Sequence, residues 1–186
     1  MTLSFHGSKK NEDLAAKKYM LGIRYFYEFV LDEEMADLAS FRWNERMASS
    51  GVPLKLKEFR GVNAADLIKL ENAGIRNVNE MIRAGQTPAK RKELSAKTGV
   101  SVATILELVK LSDLTRIQGV KGIRTRLYYD AGLDTMEKMA KWNPTELREM
   151  LIGFIERTRF NGIAPLAKEV RNTLEVARRM PKIIEY

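Results

Sequence analysis

Apolar residues recur at helical rather than strand spacing along most of the chain. Near the start, Tyr19, Ile23, Phe26 and Val30 fall at i, i+4, i+7 and i+11, one face of a helix. Asn11 is its expected N-cap. Asp32-Glu33-Glu34 reads as a fresh start, with acids near the positive end of a helix dipole. Met35, Leu38, Ala39 and Met47 carry a second stripe, and Tyr25, Phe29 and Trp43 fall off both. A helical pair over about residues 11–48 is predicted. Its apolar face over residues 19–30 either covers the core or offers a surface for self-association or a protein partner.

Ser49-Ser50-Gly51-Val52-Pro53 stops this pattern and restarts the chain in extended form. Beyond it a repeat emerges at an offset of 58 residues. Gly61-Val62 matches Gly119-Val120, Ala73-Gly74-Ile75 matches Ala131-Gly132-Leu133, and Met81 matches Met139. Gly61 and Gly119 are expected to end short leading helices, Leu54–Phe59 and Asp113–Ile117, in a tight turn. After a helix of about ten residues, Gly74 and Gly132 take the C′ place that a left-handed residue closes.

Each unit continues alike. Asn77 with Glu80, and Asp134 with Glu137, read as capping boxes. Thr87-Pro88 and Asn143-Pro144 each place a cap before a proline at the first helical position. The first unit breaks at Thr98-Gly99 and restarts at Ser101 into Val102–Leu111. The second runs on to about Phe160, breaks at Asn161-Gly162, and ends in a helix from Pro165 to Met180. Strand alternation is weak throughout, so the expected fold class is all-α. The expected domains are 1–52, 53–112 and 113–186.

Charge follows the same division. Residues 1–50 hold 7 Lys and Arg against 8 Asp and Glu, whereas 51–186 hold 25 against 16. An anionic partner should therefore meet the second part. The absence of cysteine excludes disulfides, thiolate catalysis and cysteine-ligated metal. With His6 the single histidine, histidine acid/base catalysis and multi-histidine metal sites are not expected either. Tyr19–Leu31, the most apolar stretch, is broken by Arg24 and Glu28 and too short to span a bilayer. No basic stretch leads into an apolar run with a cleavage site. The expectation is a cytoplasmic protein with no membrane partner.

Ile117-Gln-Gly-Val-Lys-Gly-Ile-Arg-Thr-Arg-Leu with Asp130-Ala-Gly-Leu resembles a helix-hairpin-helix motif, as does Phe59-Arg-Gly-Val-Asn-Ala-Ala-Asp-Leu with Asn72-Ala-Gly-Ile. From about Leu54 to Pro181 the chain resembles a bacterial family of uncharacterised tandem helix-hairpin-helix proteins. The resemblance implies a SAM-like helical architecture of tandem repeats behind an N-terminal helical extension. It also implies binding of double-stranded DNA without sequence preference. In that mode hairpin amides and a helix start meet a phosphate, and nearby Lys and Arg add charge.

Carried onto this chain, the contacts of the second hairpin are Gly119, Val120, Lys121 and Gly122, with Arg116, Arg124 and Arg126 around them. Those of the first are Gly61, Val62 and Asn63, with Lys55, Lys57, Arg60 and Lys69. DNA-binding hairpins of this type usually read Gly-apolar-Gly; here Asn63 and Lys121 hold the place of the second glycine. The resemblance further implies a monovalent cation held by hairpin carbonyls; no other cofactor is expected. Lys90-Arg91-Lys92 reads as solvated charge at a helix start, with a phosphate contact as the alternative. Tyr128 and Tyr129 read as core and rim residues.

An enzymatic reading fails on particulars. Base-excision glycosylases with this hairpin carry a lysine nucleophile where this chain has Ile123, and a downstream aspartate where it has Lys141. No pocket to depress the pKa of Lys121 is marked. A Gly-rich phosphate loop with Lys-Ser/Thr is missing too. No catalytic or metal-ligating residue is assigned, and the alternative to DNA binding is a protein-interaction or scaffold module.

Overall fold

The computed structural model describes residues 53–186 throughout and, before them, Tyr19, Ile23, Phe26, Tyr27, Val30 and Met35. The chain divides into two compact units, Met1–Val52 and Pro53–Tyr186. In the first, Tyr19, Ile23, Phe26, Tyr27 and Met35 are helical, and Val30 donates its amide to the Phe26 carbonyl at 3.0 Å. Tyr19, Ile23, Phe26 and Val30 are all exposed, so this stripe is not buried in a core. Asn11, Tyr25, Phe29, the acids 32–34, Leu38, Ala39, Trp43 and Met47 lie outside the described residues.

The described residues of the second unit are all-helical. A 3-10 turn, Leu56–Glu58, precedes α1 (Ala64–Asn72), α2 (Val78–Gly85), α3 (Pro88–Thr98) and α4 (Val102–Leu114). Then come α5 (Ile123–Asp130), α6 (Met136–Ala140), α7 (Pro144–Thr158) and α8 (Ala167–Arg179). The starts are chemically explicit. Asn77 accepts from Asn79 and Glu80 while Glu80 accepts back from the Asn77 amide; Thr87, Ser101 and Asn143 cap the helices that follow them.

Three expected elements differ from the structure. Leu54–Phe59 is not a helix: Pro53 favours an extended entry, and the chain pairs across Lys55 and Asn77 before the short turn. Leu56 donates to Arg76, and Val78 donates to Leu54, each at 3.0 Å. Asp113–Ile117 is not a separate helix, because nothing between Val102 and Leu114 breaks α4; residues 115–119 then form turns. The cap of α6 is Thr135, not Asp134: Thr135 accepts from Lys138, while Asp134 pairs with Lys110 and Lys138, each at 2.6 Å.

The offset of 58 is visible in backbone geometry. Gly74 and Gly132 share φ 86°, and the next amides, of Ile75 and Leu133, reach back to Leu70 and Tyr128 at 2.9 and 2.8 Å. Two apolar clusters result. One gathers Leu56, Phe59, Leu70, Met81, Ile105, Leu108, Val109 and Leu111, together with Ile184 from the segment after α8. The other gathers Leu114, Ile117, Val120, Leu127, Tyr128, Leu133, Met139, Leu147, Leu151, Val170 and Leu174. Helix α4 therefore serves both, and half-buried Tyr129 packs against both. Where α2 crosses α4, Gly85 permits the close approach, since a β-carbon there would lie 2.3 Å from Val109 Cγ2 and the packing would have to shift.

Candidate nucleic-acid interface

Buried Phe59 and Ile117 hold the entrances of the two turns, and Val62 and Val120 turn inward behind the glycines. Gly61 and Gly119 have φ 74° and 82°, a region that L-residues with side chains avoid. Both glycines are exposed.

The turns then diverge. Asn63 is the N-cap of α1, and its side chain accepts from the Ala65 amide at 2.8 Å. One amide at that helix start is thus already engaged. The cap of α5 is Gly122, at φ 48°, with no side-chain hydrogen bond. At the start of α5 the Arg124 amide is engaged by backbone instead, donating to the Lys121 carbonyl at 3.0 Å, and the Lys121 side chain beside it is exposed.

The structure brings the two turns together. A β-carbon on Gly61 would lie 3.2 Å from Arg126 Cζ, and one on Gly122 would lie 3.9 Å from the Glu58 carbonyl. Arg60 Nη1 donates to the Asn161 carbonyl at 3.0 Å, linking the first turn to the segment between α7 and α8.

Four of the eight expected cationic side chains are already ion-paired: Arg126, Arg116, Arg124 and Lys69. Arg126 pairs with Glu107, sits 2.9 Å from Asp130 Oδ1 and lies over the Tyr129 ring at 5.4 Å. Burial works against its charge, but the hydrogen bonds to Glu107 and Asp130 win and raise its pKa. Burial, and after it the charge of Glu107, likewise pushes the Tyr129 phenol up. Arg116 meets Asp113 at 2.7 Å and donates to the Pro181 carbonyl at 3.0 Å. Burial raises the pKa of Asp113 even so. Arg124 reaches Glu169 at 3.3 Å, and its Nη1 is buried without a partner. Lys69 pairs with Asp66 at 3.3 Å, and Lys55 is exposed with its amide bonded to Glu58.

What remains outward is Lys121, Lys55, Lys57 and Arg60, which make no ion pair among the described residues, Arg60 being held to the Asn161 carbonyl. The Lys90-Arg91-Lys92 cluster is split, for Arg91 is buried and donates to the Gly85 carbonyl at 2.9 Å. Tyr128 is buried in the second cluster, and Tyr129 is at its rim. Two partners were not legible in the sequence. Glu107 and Glu169 lie 19 and 45 residues from the arginines they meet, and no local pattern marks them.

Among the described residues no three His, Cys, Asp or Glu side chains are placed to hold a metal ion. None of their helices is long and apolar enough to cross a membrane. A family model described as a domain of unknown function, DUF4332, matches residues 60–180. No curated protein and no solved structure matches the chain.

Proposed function

The chain belongs to the DUF4332 family, and on that premise we propose a tandem helix-hairpin-helix protein that binds double-stranded DNA without sequence preference. One observation carries the reading: the start of α5 has no side-chain cap, exposed Lys121 stands beside it, and the first turn with Lys57 and Arg60 lies next to it. The positive end of a helix dipole favours an anion, and the neighbouring cations add to that field. The protein is read as cytoplasmic and non-enzymatic. The cation-bearing contacts narrow to Lys121, Lys55, Lys57 and Arg60, because Arg116, Arg124 and Arg126 are held by carboxylates.

A labelled duplex titrated at several salt concentrations tests this. With two to three phosphates neutralised, log K falls with log salt at a slope of about −2 to −3. Lys57→Glu with Lys121→Glu should flatten that slope and weaken binding at least tenfold. Absence of binding at low salt, or indifference to the double reversal, sinks the reading.

A second reading has its own support. Tyr19, Ile23, Phe26 and Val30 are 47–74% exposed on one helical face, as a protein-interaction module requires. It predicts an oligomer or a captured partner that is lost on Ile23→Glu with Phe26→Glu and unmoved by hairpin charge reversal. A strictly monomeric protein with no partner counts against it.

A further inference from the structure

The segment between α7 and α8 reads Phe160-Asn-Gly-Ile-Ala-Pro-Leu166. Ile163 is 86% exposed, the most exposed large apolar side chain among the described residues, and Leu166 is 66% exposed. An aliphatic side chain so placed gains nothing from its own fold.

The segment around it is pinned. Arg159 closes α7 at φ 53°, the one side-chain-bearing residue with positive φ among those described. Gly162 donates to the Phe160 carbonyl at 2.8 Å. Arg148 Nε donates to the carbonyl of buried Pro165 at 3.2 Å. The Leu166 amide donates to Glu169 at 2.8 Å.

Its position joins both turns. Asn161 accepts from Arg60 at the first turn. Gly162 packs on Ile123, the first residue of α5, so closely that a β-carbon would meet Ile123 Cγ2 at 3.0 Å. The segment that bears this apolar tip thus touches the first turn through Asn161 and the start of α5 through Gly162. The exposed side chains flanking it along the chain include Arg157, Arg159 and Lys168, which make no ion pair among the described residues. Glu156 and Glu169 are the opposing charges in the same stretch.

Aliphatic side chains flanked by backbone-binding cations are how proteins part neighbouring base pairs from the minor groove. We propose that Ile163 is such a wedge: the two turns grip the strands, and Ile163 enters a base step between them and opens its stack. The ligand class sharpens accordingly, from any duplex to one that is readily unstacked, such as a mismatched or kinked duplex. This rests on the DNA-binding reading above.

The test uses the full chain and two duplexes, one matched and one with a central mismatch, each carrying 2-aminopurine at the central step. The wild-type chain should prefer the mismatched duplex about fivefold to tenfold, since part of the unstacking is already done there. Fluorescence should rise as the base leaves the stack. Ile163→Ala should abolish both the rise and the preference while keeping the salt-dependent affinity for matched duplex. Ile163 is exposed, so an unchanged thermal transition shows that the variant is folded. Binding of matched duplex with no fluorescence rise, or an Ile163→Ala variant like the wild type, overturns the wedge and leaves DNA binding standing. No binding of either duplex at low salt overturns both. An affinity for protein in place of DNA, lost on Ile163→Ala, also overturns it.

Discussion

The Arg126 guanidinium rests on Gly61, with Cζ 3.2 Å from the place a β-carbon would take. The contact links the first turn to α5, and the turn favours glycine for φ 74°, while an added β-carbon would also oblige Arg126 to give by a few tenths of an ångström. Gly61→Ala should cost about 1–2 kcal/mol from the left-handed backbone alone. Gly74→Ala, at φ 86° with nothing within 4 Å of the added carbon, isolates that backbone part. Urea unfolding of the two variants separates the contributions. Gly61→Ala as stable as the wild type would contradict the geometry.

Gly85→Ala offers a sharper case. Alanine is the better helix former by about 1 kcal/mol, yet its β-carbon would lie 2.3 Å from Val109 Cγ2. Overpacking of this kind costs about 1–3 kcal/mol, so the net expectation is destabilisation. Val109→Ala in the same chain should recover part of the loss, and a double-mutant cycle by denaturant reads the coupling.

Arg126 and Lys121 should divide stability from binding. Arg126→Gln leaves Glu107 and Asp130 without their cation and should lower stability by about 1–2 kcal/mol. Lys121→Gln, exposed and unpaired, should stay within about 0.5 kcal/mol of the wild type. On duplex DNA the ranking should reverse, with Lys121→Gln reducing the salt slope and Arg126→Gln leaving it in place.

Asp134 supplies a pH dependence. Burial resists its ionisation, but Lys110 and Lys138 at 2.6 Å prevail and hold the carboxyl below its ordinary value. A carboxyl with a lowered folded pKa binds fewer protons folded than unfolded. Its stabilisation is therefore full above the ordinary carboxylate range and is lost as pH falls through the folded value. Asp134→Asn should cost about 1 kcal/mol at pH 7, and the gap to wild type should close toward pH 3. A gap independent of pH in thermal unfolding would count against this account.

How legible the chain was depends on the range of each interaction. The caps at Asn77, Thr87, Ser101 and Asn143, and the glycine stops at 74 and 132, form within a few residues, so local pattern reveals them. The expected helix over Leu54–Phe59 failed because its competitor, the pairing with Arg76–Val78, lies 20 to 24 residues away. Asp134 was misread as a cap because its decisive partner, Lys110, belongs to another helix. The candidate site shows the same limit. The glycines and Lys121 could be placed from spacing. That Arg124 and Arg126 face carboxylates, and that Asn161 docks on Arg60, required the tertiary arrangement.

Ile184 lies in the cluster built by residues 54–111, where it is 1% exposed, and the neighbouring Glu185 amide donates to the Gln86 carbonyl at 2.9 Å. During synthesis the first cluster must therefore wait, incomplete, until more than seventy further residues have left the ribosome, roughly 4–15 s at ordinary elongation rates. Through that interval the first cluster lacks one of its buried side chains on a nascent chain, the state in which a holdase chaperone would meet it.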